Sequence, residues 1–514
     1  MKKTHTAQPV RRSLGEGGSA PARHGLSEGG FSNLCISFGV LVFFVGILVG
    51  LFAATDPQSF TRNGNARVRR PDGTPVTPAG GVYEAWVARY NGPTNEYDEG
   101  QAIAVDGSGN VYVTGYSGGD YVTIKYDTSG QEQWVARYNG GRARAIAVDS
   151  SGNVYVTGES FLPGGSLDYA TIKYDSAGHE QWVARYNGPA SGNDSASSIV
   201  VDSSGNVYVM GESLGLGTGL DYATIKYNSA GQQQWVARYN GPANGDDYAA
   251  YAGAIVLDGS GNAYVTGGSA GSGTYDDYAT IKYNSGGHQQ WVARYNGPGN
   301  GGDHANAIAI DPAGHVCVTG FSTDPQTDVD CATIRYDSAG GRQEWAARYN
   351  GSANDLDYGN AIAIDGLGNV YVAATSFSSG GNGDYAVIKY NSAGQEQWVA
   401  RYDAGSTEYA TAIAVDALNN IYVTGTSSHT GLNNDYATVK YDSLGREQWA
   451  ARSNGHGTGY DRANAIAIDG SGNVYVTGTS PGSGTGLSDC ATIKYIQPTP
   501  GVTPRPRPSP APRP

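Results

Sequence analysis

The sequence has few of the residues from which most catalytic and metal sites are built. It holds 4 cysteines and 8 histidines in 514 residues, and no two histidines have the spacing of a metal-binding pair. A twelve-residue Asp-x-Asp-x-Asp-Gly calcium loop is also absent. With only four cysteines, the sequence does not indicate whether the protein lies in an oxidising or a reducing compartment. Cys317 and Cys331 are predicted on adjacent strands of one sheet, which leaves a disulfide and two free thiols as alternatives.

Charged residues are scarce as well, at 16% of the chain, and they are unevenly distributed. The net charge is −14, but residues 1–54, 55–80 and 496–514 carry +3, +2 and +3, which leaves −22 on residues 81–495. A surface of this sign repels phosphate backbones. We therefore expect no nucleic-acid partner, and the charge favours cations or basic surfaces.

Long hydrophobic runs are absent apart from residues 34–54. These 21 residues carry no charge and are enough for a helix that crosses a bilayer. A signal-peptide core and a buried helix are the alternatives, but the run is longer than a usual signal core and no helical periodicity appears elsewhere. We predict a polar cytoplasmic leader at 1–33 and a transmembrane signal anchor at 34–54.

The segments that flank the remaining chain have the composition of linkers. Residues 55–80 predict a flexible spacer, and residues 496–514 contain eight prolines, which predicts a disordered, polyproline-like tail. The arginines from Arg62 to Arg70 favour an inverted orientation of the anchor, but long domains translocate despite flanking charge. We therefore expect residues 81–495 outside the cytoplasm, in the periplasm or at the cell surface.

Residues 81–495 consist of a repeat. The stretch AIAVDGSGNVYVTG at 102–115 is the first of eight similar copies, which follow one another at intervals of 43 to 56 residues. Alternating Ala and Ile predict one strand, and Val-Tyr-Val predicts a second. Asp106 to Asn110 supplies turn residues that bond their own backbone, and the turn keeps its length in all eight copies.

Two further strands complete each repeat. DYATIKY, as at 168–174, keeps its Asp and its final Tyr in all eight copies, and QWVARYNG, as at 181–188, keeps its Trp. Four short antiparallel strands in roughly 50 residues are typical of a β-propeller blade. We predict that each Trp packs between blades and that the Lys and Arg that recur once per blade pair with a blade Asp.

The ends of the array predict how the ring closes. Trp86 precedes the first inner strand, whereas no Trp strand follows Tyr495. The strand at 84–90 can therefore complete the last blade, which also removes a sheet edge. The sequence predicts an all-β fold, a single monomeric propeller of eight four-stranded blades closed by an N-terminal strand and preceded by one transmembrane helix.

The strand motifs IAVD, GNVYVTG and DYATIKY, together with the Trp strand, resemble the bacterial SBBP β-propeller repeat family over residues 81–495. The family name implies seven blades, whereas the eight copies here predict eight. The resemblance implies an exported or cell-surface bacterial protein. It brings no catalytic residues.

Variation between the repeats is one-sided. The Asp-to-Asn turn is always four residues, and Tyr to Trp is eight residues in every blade but one. Trp to the next Asp varies from 15 to 23 residues, and Asn to the next strand's Asp varies from 10 to 16. In an antiparallel blade, the two turns of constant length lie on one face of the disc and the two loops of variable length lie on the other. We call the face with the variable loops the variable face and expect it to bind ligands, because diverse loops on a rigid scaffold commonly do.

Acids recur on this variable face, eight residues before the inner-strand Asp. They are Asp98, Asp194, Asp303, Asp357, Glu408 and Asp461. Binding of calcium by a ring of carboxylates is one interpretation, and capping of each acid's own loop amides is the other. Two blades depart from the spacing, one with a short loop near Arg142 and one with an insertion after Asp246 and Asp247.

We expect a membrane-anchored, extracytoplasmic and non-enzymatic binding module for a cell-envelope protein or glycan. The alternative is a hydrolase or lyase that acts on an extracellular polymer, with acids at the channel mouth. Catalysis requires different residues that act in different roles, such as a general acid and a general base. The repeats look alike at the positions that could react, which favours a binding function over an enzymatic one.

Overall fold

A computed structural model of the protein describes residues 81–497, except 162–164, 251–252, 430–432, 456–458 and 483–486. The described residues contain 33 β-strands and no helix. Among them, no helix has the length and apolar character needed to cross a membrane. The predicted leader, anchor and spacer and the tail from 498 onward lie outside the described residues.

The strands form eight antiparallel sheets, each of them one blade. Blades 1 and 2 comprise β2 (Asp98–Val105), β3 (Val111–Ser117), β4 (Asp120–Tyr126), β5 (Glu132–Tyr138), β6 (Gly141–Val148), β7 (Val154–Phe161), β8 (Leu167–Tyr174) and β9 (Glu180–Tyr186). Blades 3 and 4 comprise β10 (Asp194–Val201), β11 (Val207–Gly215), β12 (Gly219–Tyr227), β13 (Gln233–Tyr239), β14 (Asp247–Ala249), β15 (Ile255–Leu257), β16 (Ala263–Ala270), β17 (Asp276–Tyr283) and β18 (Gln289–Tyr295).

Blades 5 and 6 comprise β19 (Asp303–Ile310), β20 (Val316–Asp324), β21 (Asp328–Tyr336), β22 (Gln343–Tyr349), β23 (Asp357–Ile364), β24 (Val370–Phe377), β25 (Gly383–Tyr390) and β26 (Glu396–Tyr402). Blades 7 and 8 comprise β27 (Glu408–Val415), β28 (Ile421–His429), β29 (Asn433–Tyr441), β30 (Glu447–Ser453), β31 (Arg462–Ile468), β32 (Val474–Pro481), β33 (Ser488–Ile496) and β1 (Tyr83–Tyr90). The eight sheets confirm the predicted number of blades.

The first strand of each blade is innermost, because it contacts the first strands of both neighbouring blades all the way round the ring. In blade 4 the insertion divides this strand into β14 and β15, which both pair with β16. The ring closes as the sequence predicts. β1 pairs antiparallel with β33 and supplies the outer strand of blade 8.

The core lies between the blades. Tyr112 and Tyr121 of blade 1, for example, pack in one buried cluster with Val154 and Val156 of blade 2. The recurring Trp joins the outer strands of adjacent blades, as predicted. The indole of Trp134 donates to the carbonyl of Ser176 at 3.2 Å and lies against Gly178, where positive φ and close contact leave no room for a side chain.

The recurring Asp turn has a direct physical cause. Asp106 Oδ1 accepts the backbone N–H groups of Ser108 and Asn110, both at 2.9 Å. Its Oδ2 accepts the Asn110 amide at 2.8 Å and the Tyr112 hydroxyl at 3.0 Å. One carboxylate therefore fixes both the turn and the start of the second strand, which explains why the turn length does not change.

Candidate functional site

The six predicted acids stand at or just before the start of the innermost strands, and each is buried, at 0–1% exposure. A glycine N–H six residues earlier donates to Oδ2 at 2.7 Å for Asp98, Asp194, Asp303 and Asp357 and at 3.2 Å for Asp461. The hydroxyl of Ser427 donates to Glu408 at 3.0 Å. The five aspartates therefore cap their own loops. Ligand binding by the six acids together stays a prediction.

The two exceptional blades differ from each other. Asp247 occupies the same place as the six acids, since its Oδ2 accepts the Gly241 N–H at 2.7 Å. The insertion follows Asp247 and therefore disguised its position in the spacing. In blade 2 the place belongs to Gly141, where an added Cβ would lie 2.2 Å from the carbonyl oxygen of Glu159.

An arginine and a second aspartate accompany these acids in most blades. Arg137 donates to Ser117 Oγ at 2.7 Å, to Asp120 at 3.0 Å and to the Tyr90 hydroxyl of the neighbouring blade at 2.9 Å. The same Arg–Asp pair recurs in Arg238–Asp221, Arg294–Asp277, Arg348–Asp330, Arg401–Asp384 and Arg452–Asp435. The predicted pairing is confirmed for these arginines.

The recurring lysine behaves differently, and the prediction that it pairs with Asp is wrong for Lys125. Its ammonium donates to the Ser176 carbonyl at 3.1 Å and lies 5.2 Å from the centre of the Tyr112 ring. A carbonyl and a ring face therefore take the place of the carboxylate. Arg335, which replaces this lysine once, does pair with an acid, Asp311, at 3.0 Å.

Burial changes the titration of the inner acids. It raises the pKa of Asp357 to about 6, with a further contribution from the nearby charge of Asp330. It raises the pKa of Glu408 to about 7, where Asp384 and Asp403 are the neighbouring charges. Hydrogen bonds from serine and backbone N–H groups lower both values but do not outweigh burial.

The residue directly after each acid breaks the repeat symmetry. We call these residues, together with the equivalent Arg142, the mouth ring: Glu99, Arg142, Ser195, Tyr248, His304, Tyr358, Tyr409 and Arg462. They belong to the innermost strands, near the variable face. Several of them contact the second strand of the preceding blade, as Arg142 does over the Tyr116 ring at 4.8 Å.

One side of the mouth carries a chain of aromatic rings, which we call the aromatic arc: His304, Phe321, Tyr358, Phe377 and Tyr409. The successive ring centres are 5.9, 5.5, 6.5 and 6.3 Å apart. All five side chains are half-buried and extend from blade 5 to blade 7. Burial lowers the pKa of His304 to about 4, so its ring is neutral at physiological pH.

The opposite side of the mouth is charged. Arg144 donates to Glu159 at 2.8 Å, and the Ser195 hydroxyl donates to the other oxygen of Glu159 at 2.6 Å. Burial raises the pKa of the neighbouring Glu212 to about 7. We call Glu99, Arg142, Arg144, Glu159 and Glu212 the charged arc. The mouth thus presents an aromatic side and an ionic side.

Exposed aromatic side chains also lie on the variable face. Among the described residues, the large aromatics that are most exposed are Tyr97, Phe161, Tyr275 and Tyr460, at 38–70%. All four lie in or beside the loops of variable length. In the described turns of the opposite face, the large hydrophobic side chains that are exposed are all leucines: Leu367, Leu418 and Leu444. Aromatic exposure therefore coincides with loop diversity.

The family model described as "Beta-propeller repeat" (SBBP) matches residues 85–121, 133–160, 181–217, 344–381, 397–433 and 448–484. Six segments of the chain are therefore similar to the SBBP repeat. Blade 4 and the first three strands of blade 5 lie outside these matches, yet both blades form sheets of the same order as the others. The SBBP repeats therefore occur within a ring of eight structurally equivalent units.

Similar solved structures have low sequence identity. The Dos1 propeller is 10% identical, with 81% of this chain and 96% of that chain covered and a TM-score of 0.48. A protein from Lactobacillus plantarum is 11% identical, with coverages of 71% and 98% and a TM-score of 0.43. A puromycin hydrolase is 14% identical, with coverages of 75% and 58% and a TM-score of 0.43. Among curated proteins, no match to the chain is found.

The structure decides one open alternative and corrects one expectation. Cys317 and Cys331 are both free and buried, and in the strand register Cys331 faces Phe321 whereas Cys317 faces Arg335. The expected likeness of the repeats at reactive positions fails at the mouth ring. The differences between the blades are visible in the sequence, one residue after each acid. Their functional importance becomes clear only when the structure shows that these residues lie together at one end of the channel.

Proposed function

We propose that this SBBP-repeat protein is a membrane-anchored, extracytoplasmic binding module that uses its variable face to hold a cell-envelope glycan. The observation that carries the proposal is the aromatic arc, a continuous chain of rings over blades 5 to 7 that lies on the other side of the mouth from the charged arc. The anchor rests on the uncharged run at 34–54, and the expectation of a monomer rests on β1, which completes the last blade within one chain.

The chemistry of the arc favours a sugar chain. Tyrosine combines an apolar ring with a polar hydroxyl, and sugar rings likewise combine apolar faces with hydroxyl edges. Rings spaced 5.5–6.5 Å apart along three blades form an extended, mainly apolar surface, which suits a polymer better than a compact ligand. The charged arc opposite can position polar substituents of the same chain.

An extracellular polymer hydrolase stays the second candidate. The observation in its favour is Glu212, whose pKa is raised to about 7 beside Glu159, because a carboxyl group that holds its proton near neutral pH can act as a general acid. The two functions differ in one measurable property, since a hydrolase shortens the polymer that it binds.

The experiment is an array of envelope polysaccharides and envelope proteins, incubated with the purified full chain. We expect saturable binding of a polysaccharide without loss of polymer length. A Tyr358→Ala, Tyr409→Ala variant should lose at least tenfold in affinity, since aromatic anchors commonly dominate binding energy. The matched control, Leu367→Ala with Leu418→Ala on the opposite face, should bind normally.

Three outcomes would contradict the proposal. Binding only to envelope proteins would exclude the glycan, and equal losses in both variants would exclude the mouth as the site. Shortening of the polymer that stops in a Glu212→Gln variant would establish the hydrolase instead.

A further inference from the structure

The junction between blades 6 and 7 differs from the others in its acids. Among the described residues, Asp384, Asp403 and Glu408 form the one group of at least three acidic, histidine or cysteine side chains whose ligand atoms all lie within 4.8 Å of one another. Asp384 belongs to β25, Asp403 directly follows β26, and Glu408 begins β27. The group therefore joins the end of one blade to the inner strand of the next.

Two of these acids are departures from the repeat. The position of Asp403 is asparagine in the seven other blades, at Asn91, Asn139, Asn187, Asn240, Asn296, Asn350 and Asn454. The position of Glu408 is aspartate in six of them and glycine in blade 2. Asp403 adds a negative charge where the other blades have a neutral amide, and Glu408 has a side chain one methylene longer than that of aspartate. Both differences occur in the same carboxylate group.

The Glu408 side chain is buried, at 0% exposure, and is not fully satisfied. Its Oε1 accepts the Ser427 hydroxyl at 3.0 Å, whereas Oε2 has no hydrogen-bond partner among the described residues. A buried carboxylate oxygen without a partner is costly. Asp98, Asp247 and Asp357 also leave one oxygen unpartnered, but no third carboxylate reaches their junctions in the described part of the chain.

The charges of the junction are not balanced by protein. Arg401 donates to Asp384 Oδ2 at 2.7 Å and also to the Ser376 and Tyr349 hydroxyls. Among the described residues, Arg401 pairs with only one of the three carboxylates, and Asp403 Oδ1 accepts the Gly405 N–H at 2.7 Å. Asp403 is exposed, which leaves the group open to solvent on one side. A cation could enter there and keep water ligands.

The donor set identifies the class of cation. It consists of oxygens alone, which suits a hard divalent ion. Ca²⁺ accepts an irregular set of six to eight oxygens, whereas Mg²⁺ requires a nearly ideal octahedron and keeps several of its waters. The irregular mixture of buried and exposed carboxylates therefore favours Ca²⁺.

We propose that Asp384, Asp403 and Glu408 bind one Ca²⁺ at the junction of blades 6 and 7. The ion would tie the loop that follows β26 to the inner strand of blade 7, directly beside Tyr409 of the aromatic arc. This site is independent of the glycan proposal, because it requires no ligand at the mouth.

The experiment is calorimetric titration of the chelator-treated full chain with CaCl₂ alone. We expect one site per chain, with a Kd between about 10⁻⁵ and 10⁻³ M. The variant D403N/E408D restores the residues of the other blades, so it should fold normally by circular dichroism and lose at least tenfold in affinity. The exposed substitution Asp403→Asn alone should also weaken binding. The control Asp355→Asn, in the preceding loop of blade 6, should leave binding unchanged.

The proposal is overturned if no Ca²⁺ binds. It is equally overturned if binding exceeds one ion per chain and is the same in D403N/E408D, because that pattern indicates diffuse attraction to the acidic surface. Glycan binding that persists without Ca²⁺ leaves the proposed function intact whichever result is obtained.

Discussion

Closure of the ring by β1 makes a quantitative prediction about two tryptophans. Trp86 of β1 donates to the Thr128 carbonyl at 3.3 Å and has Tyr126 and Tyr475 at ring distances of 6.1 and 6.0 Å. Trp134, inside the chain, donates to Ser176 at 3.2 Å and has two tyrosine rings at 6.2 Å. If β1 is docked as the structure shows, Trp86→Ala and Trp134→Ala remove the same contacts.

The expected magnitude follows from burial. Replacing a fully buried Trp by Ala costs about 3–5 kcal/mol, and both indoles are only half-buried. We therefore expect about 2–3 kcal/mol for each variant, which includes roughly 1 kcal/mol for the lost N–H···O bond. For a disc of roughly 400 residues, the unfolding entropy per residue converts this into a fall in Tm of about 2–3 °C.

The assay is thermal unfolding of the full chain, followed by circular dichroism, because the substitutions alter tryptophan fluorescence. Equal falls in Tm for Trp86→Ala and Trp134→Ala support closure. Removal of residues 81–92 should lower the Tm further, since it exposes the outer edge of blade 8. A Trp86→Ala variant with the Tm of the native chain, beside a destabilised Trp134→Ala variant, would refute the docking of β1.

Four further predictions concern pH, topology and thiols. The pKa of Asp357 in the folded protein is about 6, above its usual 3.8, so protonation of this carboxyl stabilises the fold at low pH and that stabilisation is lost as the pH rises from about 4 to above 6. An Asp357→Asn variant does not titrate there, so between pH 4 and pH 7 its free energy of unfolding should rise by about 1–2 kcal/mol relative to that of the native chain, as measured by denaturant titration. Asp106, whose pKa is lowered by hydrogen bonds that outweigh burial, has the opposite sign, and Asp106→Asn should cost more at pH 7 than at pH 3. Protease added to cells with a permeable outer layer should remove the propeller or its spacer, and full protection would contradict the proposed orientation. Cys317, Cys331 and Cys490 are buried with raised pKa values, so iodoacetamide should label them only after unfolding without reductant, and a failure to label them then would indicate a disulfide.

The blade architecture was readable from the sequence because each blade repeats its own local chemistry. Asp106 fixes one turn and one register, and the same set of bonds recurs in most other blades. Trp86 without a preceding sheet predicted the closing strand. These inferences needed only contacts within a repeat or between a repeat and the next, and such contacts recur eight times.

The site was harder to predict because its residues differ in every blade. Tyr358 and Phe321 lie 37 positions apart in sequence and meet only across a blade junction, so no local pattern marks them. Asp247 was missed because the insertion shifts its spacing. The role of the buried acids as loop caps was one of two alternatives, and hydrogen-bond geometry was needed to choose between them.

The central claim is that ligands bind at the variable face, and hydrogen exchange of the full chain tests it most directly. The protein would be compared with and without the envelope polysaccharide that it retains. We expect slower exchange in the loops that enter β19, β23 and β27 and in the mouth-ring segments of those strands, with no change in the Asp-to-Asn turns of the opposite face. Protection confined to those turns, or spread equally over all eight blades, would contradict the account.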